Sequence, residues 1–478
     1  MPLKCHSIST QLTLFRWLAP KIGRTSKAKT KNSGFLFCAS LGLHYRWLAP
    51  KIGGTSKAKT KTSVFCFVLH SVCTIFVGMK QTIPFLLALM ALLGACGSAK
   101  NNARLTASLD SLLEANYRAD APGAALLIAV DGNIIYDRGI GVADMETGEK
   151  IDGNTNFNIA SISKQFTVVG LLRLQERGLV NVDDPVAKYY PEYRGDIWKK
   201  VTLRHLMSHS SGVPDTRPRD DREWMLRATD DESMEYFHDL DSLKFEPGTD
   251  YDYINPTFQL IYGIIQKRGG MEFEQYQQQN VFGPAAMTNV RYFKADRHIP
   301  HMAHGYIVND GSDSGENDNG TTKQRDVTTH DFVDGSGTHW AECDYGEETF
   351  FATRADGGIY TSTHDLLNWE MALRDNKVMK EESKKLAYKP HTQVSGSTWC
   401  TYQNRPYTHY GLGWFVDRTP GQREKIYHTG DNGGFQAYLA KWENGRIVVA
   451  MLENRNDHDR WAMQLEIERL LRAHGILR

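Results

Sequence analysis

Strand-forming patterns stand at the two ends of residues 97–478, with a long stretch of other character between them, and this limits the folds open to the chain. Near the start, Gly123 to Val130 is an apolar run, Asp131-Gly132-Asn133 is a hairpin-type turn, and Ile134-Ile135-Tyr136 begins a second strand. Near the end come Gly411 to Val416, Gly434 to Leu439 and Ile447 to Leu452. Helical patterns accompany both groups. Residues 101–119 carry Leu105, Leu109, Leu112 and Leu113 on one face, and Trp461 to Ala473 is amphipathic. Phe157 to Gly178 is the strongest helical pattern and ends in Arg177-Gly178, a basic last turn followed by glycine. Residues 181–354 mix short helical patterns with loops, and 309–349 reads as an inserted polar loop. The predicted fold class is α/β: an antiparallel sheet built from both termini and flanked by helices, with an inserted, mainly helical subdomain. The α/β part covers about 103–180 and 355–478, and the helical part about 181–354.

Charge divides the chain too. Residues 1–95 hold 13 Lys and Arg and no Asp or Glu, which leaves 43 basic against 56 acidic residues afterwards, a net −13. An acidic body argues against a nucleic-acid partner, since phosphate binding needs a basic footprint. The first segment also repeats itself: Arg16 to Gly23 recurs as Arg46 to Gly53. Two copies are too few for a stable repeat array. Residues 1–78 are therefore expected to be a leader, either a non-native upstream extension or a basic repeat-containing arm, with Met79 as the natural start.

From Met79-Lys80, an apolar run of signal-peptide length (Ile83 to Ala95) ends in Leu93-Gly94-Ala95-Cys96. This resembles the bacterial lipoprotein cleavage motif. It implies a signal peptide over 79–96, lipidation of Cys96, and export of residues 97–478 to the cell envelope on a lipid anchor. The alternative is a transmembrane helix that draws on Val64 to Val77; either reading exports the remainder. Of seven cysteines only Cys343 and Cys400 fall in the exported part. An oxidising compartment allows them to pair, and they can equally stay apart.

Ser161-Ile162-Ser163-Lys164 opens the strongest helix. Residues at i and i+3 share a helix face, so the Lys164 amine can approach Ser161 Oγ and serve as its base. For that the amine must be partly neutral, which burial and a second cationic neighbour can supply. Ser-x-x-Lys also occurs at Ser26/Lys29 and Ser56/Lys59 in the leader, but only the third copy lies on such a helix in the exported part. A second element is Tyr253-Ile254-Asn255, a hydroxyl able to pass protons and an amide able to hold a carbonyl; Tyr402-Gln403-Asn404 repeats the pattern. A third is His428-Thr429-Gly430, just before a strand. There a substrate can lie alongside as an added strand, and the Asp431 N–H can pair with that of Ser161 as an oxyanion hole. His298, His301 and His304 recur at three-residue spacing, but Pro300 breaks any helix that would gather them. No metal is expected. His209, between two serines, reads as structural rather than as a triad base, because no acidic partner is evident for it.

The three elements are 92 and 175 residues apart and stand among further landmarks: Ile159 to Thr167, Leu206 to Val213, Phe245-x-Pro-Gly248, Gly357 to Ser362 and Tyr410 to Trp414. In that order they closely resemble the serine β-lactamase-related family, which includes class C β-lactamases, D-alanyl-D-alanine carboxypeptidases, D-amino-acid peptidases and some esterases. The resemblance covers nearly all of residues 105–475. It implies the β-lactamase/transpeptidase-like fold, no metal and no cofactor. Residue by residue it implies Ser161 as acyl-enzyme nucleophile, Lys164 as base or proton relay and Tyr253 as proton shuttle. Asn255, His428, Thr429, Gly430 and Asp431 would form the substrate-binding edge. The expected activity is that of an exported serine hydrolase acting through an acyl-enzyme on amide or ester bonds. Its substrates would be D-amino-acid peptides or related small molecules, peptidoglycan-derived ones among them, with penicillin binding also open. The alternative is a non-hydrolytic penicillin-binding or sensing module. His428 departs from the β-lactamase branch, which carries Lys-Thr-Gly there, and Asp431 would repel a substrate carboxylate.

Overall fold

Eight strands form one antiparallel sheet in the computed structural model, which describes residues 102–477 apart from 219–220, 222–223, 225–226, 294–297, 310–330, 344–352, 395–405 and 458. In chain order they are β1 (Ala124–Val130), β2 (Asn133–Ile140), β3 (Thr392–Gln393), β4 (Thr408–Tyr410), β5 (Phe415–Asp417), β6 (Lys425–Asn432), β7 (Phe435–Trp442) and β8 (Ile447–Glu453). Their order across the sheet is β2-β1-β8-β7-β6-β5-β4-β3. β1 lies against β8, with Ala124 opposite Glu453 and Val130 opposite Ile447, so the sheet joins the two ends of the described chain.

Both strands are apolar on alternate residues of either face because helices cover both. The helices that matter here are α1 (102–116), α2 (Ser163–Glu176), α3 (Thr257–Gly269), α4 (Thr363–Arg374) and α5 (Arg460–Ala473). Leu105, Leu109 and Leu113 of α1 and Trp461, Ile467 and Leu471 of α5 pack with Leu126, Ile128, Val449 and Met451 on one face. Leu127, Ala129, Leu439, Val448 and Ala450 face the opposite layer, with Phe166 of α2 and Trp369 of α4. Each Leu, Ile, Val, Met or Phe among them contributes about 1.5–3 kcal/mol when fully buried, which is why the hairpin pairs with the distant C-terminal strands.

The expected fold class is therefore observed, with three local corrections. The strand expected from Gly411 begins only at Phe415: Gly413 has φ +80° and Gly411 N–H bonds to Trp414 O at 2.8 Å, a turn rather than a strand. The helix expected from Phe157 begins at Ser163, because Phe157–Asn158 pairs with Ile359–Thr361 as a short strand. Finally, the segment read as an inserted loop, 309–349, contributes two strands where it is described, Asp331–Val333 and His339–Glu342, which form a small sheet with Tyr306–Val308 just before it. The leader, Cys96, Tyr402-Gln403-Asn404 and Cys400 lie outside the described residues; Cys343 is buried.

Candidate active site

The chain reaches Ser161 through a sharp turn. Ala160 has φ +45°, and Ala160–Ile162 is a single 3-10 turn leading into α2. A left-handed backbone strains a residue that carries a Cβ, and it persists only where neighbours enforce it. Here the buried Asn158 accepts the Ala160 N–H through Oδ1 at 2.8 Å, and Gly430 of β6 presses from the other side. A Cβ on Gly430 would lie 2.3 Å from Ile159 O and 3.0 Å from the Ala160 Cβ. Glycine is what lets this strand lie directly against the turn.

Lys164 sits where the i,i+3 spacing puts it, fully buried, with Nζ 3.0 Å from Ser161 Oγ and 3.0 Å from the Asp356 backbone oxygen. Burial lowers its amine to about 8, and the Asp356 carboxylate, 4.0 Å from Nζ, opposes that shift. The expectation of a second cation is thus corrected: the charged neighbour is an acid, and desolvation does the lowering. Asp356 is itself pushed up to about 6 by burial, while Lys164, Arg217 and a 2.9 Å hydrogen bond from Gln259 Nε2 hold it down. With the amine neutral, Ser161 O–H can donate to Nζ along the same contact.

Tyr253 lies beside the pair, with Lys164 Nζ 4.9 Å from its ring centroid. Burial pushes the phenol far above its ordinary value, and a hydrogen bond with Ser161 pulls the other way. His209 backs this ring, stacked at 4.0 Å between centroids, and its Nδ1 accepts the Ile254 N–H at 3.2 Å. Buried and held below its ordinary pKa by desolvation and by Lys164, it has no acidic partner among the described residues and supports the Tyr253 loop. Asn255 is exposed at the entrance to α3.

β6 forms the opposite wall. It pairs with β7 over all of Lys425–Asn432 but with β5 only over Lys425–Tyr427, so no described strand covers the other side of His428–Asn432. Thr429 Oγ1 is buried with no hydrogen-bond partner among the described residues. His428 differs from the substrate-binding role expected of it. Its Nδ1 donates to Thr429 O at 2.6 Å and its Nε2 accepts from Tyr410 Oη at 2.8 Å, so both nitrogens are used inside the protein. Desolvation and Lys164 push it down to about 3, and the ring is neutral. Asp431 is 43 % exposed beyond Gly430, with Oδ2 3.5 Å from Arg460 Nη1; that guanidinium also donates to Gly430 O at 2.7 Å. Packing raises the Asp431 carboxyl above its ordinary value, against the pull of Arg460.

The fold thus brings Ser161, Lys164, Tyr253, Thr429 and Gly430 together. It adds Asp356, Gln259 and Arg460, which sequence reasoning did not select. Asp356 had one signal, its place directly before Gly357-Gly358. His301 and His304 pair with separate carboxylates, Glu149 at 2.9 Å and Glu342 at 3.0 Å.

A serine bonded to a buried amine of lowered pKa, between a sheet edge and a helical layer, is an arrangement suited to acyl transfer. Residues 109–471 match the family model described as Beta-lactamase, and the chain belongs to that family. It is 26 % identical over 365 residues to "Penicillin-binding protein 4*" of Bacillus subtilis (strain 168), covering 73 % of this chain and 72 % of that one. Among solved structures, the octameric penicillin-binding protein homologue from Pyrococcus abyssi superposes with TM-score 0.61 at 21 % identity, over 78 % of this chain and 77 % of that one. D-amino acid amidase from Ochrobactrum anthropi SV3 superposes with TM-score 0.59 at 22 % identity, over 78 % and 98 %.

Proposed function

We propose that this chain hydrolyses amide or ester bonds of D-aminoacyl peptides or related small molecules through an acyl-enzyme on Ser161. The observation that carries this is the 3.0 Å contact between Ser161 Oγ and a buried Lys164 whose amine titrates at about 8. Burial holds the amine below its ordinary value, so its neutral form is within reach near neutral pH and can supply a base without rearrangement. Tyr253 stays protonated, so Lys164 rather than the phenolate takes the serine proton. Oγ then bonds to the carbonyl carbon, and the oxyanion lies between the backbone N–H groups of Ser161 and Asp431. First-turn amides such as that of Ser161 lack an intrahelical acceptor. The C–N or C–O bond breaks as the proton passes from Lys164 through Tyr253 to the leaving group, and water releases the acyl group. Asn255 and Thr429 hold the substrate. His428 shapes the strand edge from within. In intact-mass measurement, a fluorophosphonate adds one phosphonyl group to wild type, mapped to Ser161, and adds none to Ser161→Ala. Absence of the wild-type adduct would overturn the nucleophile and leave the binding-module alternative.

The same proposal places the enzyme in the cell envelope, anchored through a lipid at Cys96. The support is the Leu93-Gly94-Ala95-Cys96 motif after an apolar run. Expressed in bacteria fed an alkyne fatty acid, the full chain should become labelled and Cys96→Ser should not. Equal labelling of both would sink the anchor.

A further inference from the structure

Among the described residues, each cation near the site already makes contacts within the protein. His428 is neutral and bonded at both nitrogens. Lys164 is closed in by Ser161 and Asp356. Arg217 makes two 2.9 Å hydrogen bonds to Asp215, and its side chain is 7 % exposed. Arg460 is buried and spends Nη1 on Gly430 O and Asp431. Among the described residues, the exposed charge on the open edge of β6 is therefore the Asp431 carboxylate. A substrate lying along Thr429 and Gly430 runs toward it. A free carboxylate there would meet a like charge and an arginine already neutralised by that charge, while an amide, ester or amine would meet an acceptor.

We infer that this site selects substrates whose end beyond the scissile bond is neutral or cationic, such as peptide amides and esters, and that Asp431 rejects free C-terminal carboxylates by pairing Arg460. This rests on the reading of Ser161 as nucleophile and of β6 as the substrate edge. It makes the enzyme an amidase or esterase in preference to a carboxypeptidase or β-lactamase, since those substrates carry a carboxylate near the bond that breaks.

The test uses two peptides that differ only in charge, N-acetyl-D-Ala-D-Ala as free acid and as C-terminal amide. Each competes against fluorophosphonate labelling of Ser161 in the full chain. Wild type should be protected by the amide at about tenfold lower concentration than by the acid, the order of difference expected for like charges a few ångströms apart at a partly exposed site. The preference should shrink as salt is raised. In Asp431→Asn, Arg460 gains a free charge and the acid should protect as well as the amide or better, whereas Asp431→Glu should keep the wild-type preference. Equal protection of wild type, better protection by the acid, protection by neither, or an unchanged ratio in Asp431→Asn would overturn the inference. Failure of wild type to label at all would instead overturn the nucleophile assignment.

Discussion

Replacing Lys164 with methionine should slow acylation of Ser161 by about 10²- to 10⁴-fold, the range expected when a positioned general base is lost. Methionine has nearly the length of lysine, is apolar and suits a site that is fully buried. Asp356 loses its 4.0 Å cationic neighbour but keeps the Gln259 hydrogen bond, and it can take up a proton because it already titrates at about 6. The variant should therefore fold. The pH profile separates loss of a base from loss of structure. In wild type the labelling rate should climb with pH through about 8, as the Lys164 amine loses its proton, and level off above that. Because Lys164 and Asp356 interact, the apparent midpoint belongs to the pair. In Lys164→Met the climb through that range should vanish. Time-resolved labelling from pH 6 to 10, with melting temperatures alongside, checks both parts; a variant that keeps the wild-type climb would show that another group is the base.

Gly430→Ala should be nearly as damaging for a different reason. The added methyl meets Ile159 O at 2.3 Å, a backbone atom that cannot swing aside, and the Ala160 Cβ at 3.0 Å. Strand β6 and the Ser161 turn must separate, and overpacking of this kind costs about 1–3 kcal/mol. Separation by about an ångström also pulls the substrate edge from the nucleophile, which can lower kcat/KM by about 10²-fold. Gly357→Ala is the control, since its new methyl meets nothing nearer than 3.9 Å. Calorimetry and ester hydrolysis on the two variants give the comparison, and equal melting temperatures and rates in both would show that the close approach is unimportant.

Much of the architecture could be read from the chain because local pattern and burial agree. The β1–β2 hairpin has an apolar strand and an Asp-Gly turn, and the two long C-terminal strands carry continuous apolar runs. The failures came where a turn overrode the pattern. Tyr410 to Trp414 looks like a strand, yet Gly413 at φ +80° bends it. Phe157 and Asn158 have helical neighbours but pair with Ile359–Thr361 from some two hundred residues away. At Ala160 the left-handed backbone could not be foreseen, since no glycine or asparagine marks it.

The sequence alone singled out a candidate serine, because an i,i+3 spacing at a helix start brings Ser161 and Lys164 to one face, here across the 3-10 turn and the first turn of α2. It also determined that one sheet would join the two ends of the domain, because apolar strands at both ends must be covered. Only the tertiary structure decided whether that lysine could act as a base. Its pKa depends on how completely it is buried and on Asp356, which arrives 192 positions later. The same holds for His428, a titratable group by its residue type and a neutral anchor once Tyr410 and the Thr429 carbonyl close on it. Desolvation and charge pairing are set by neighbours in space, and local spacing does not record them.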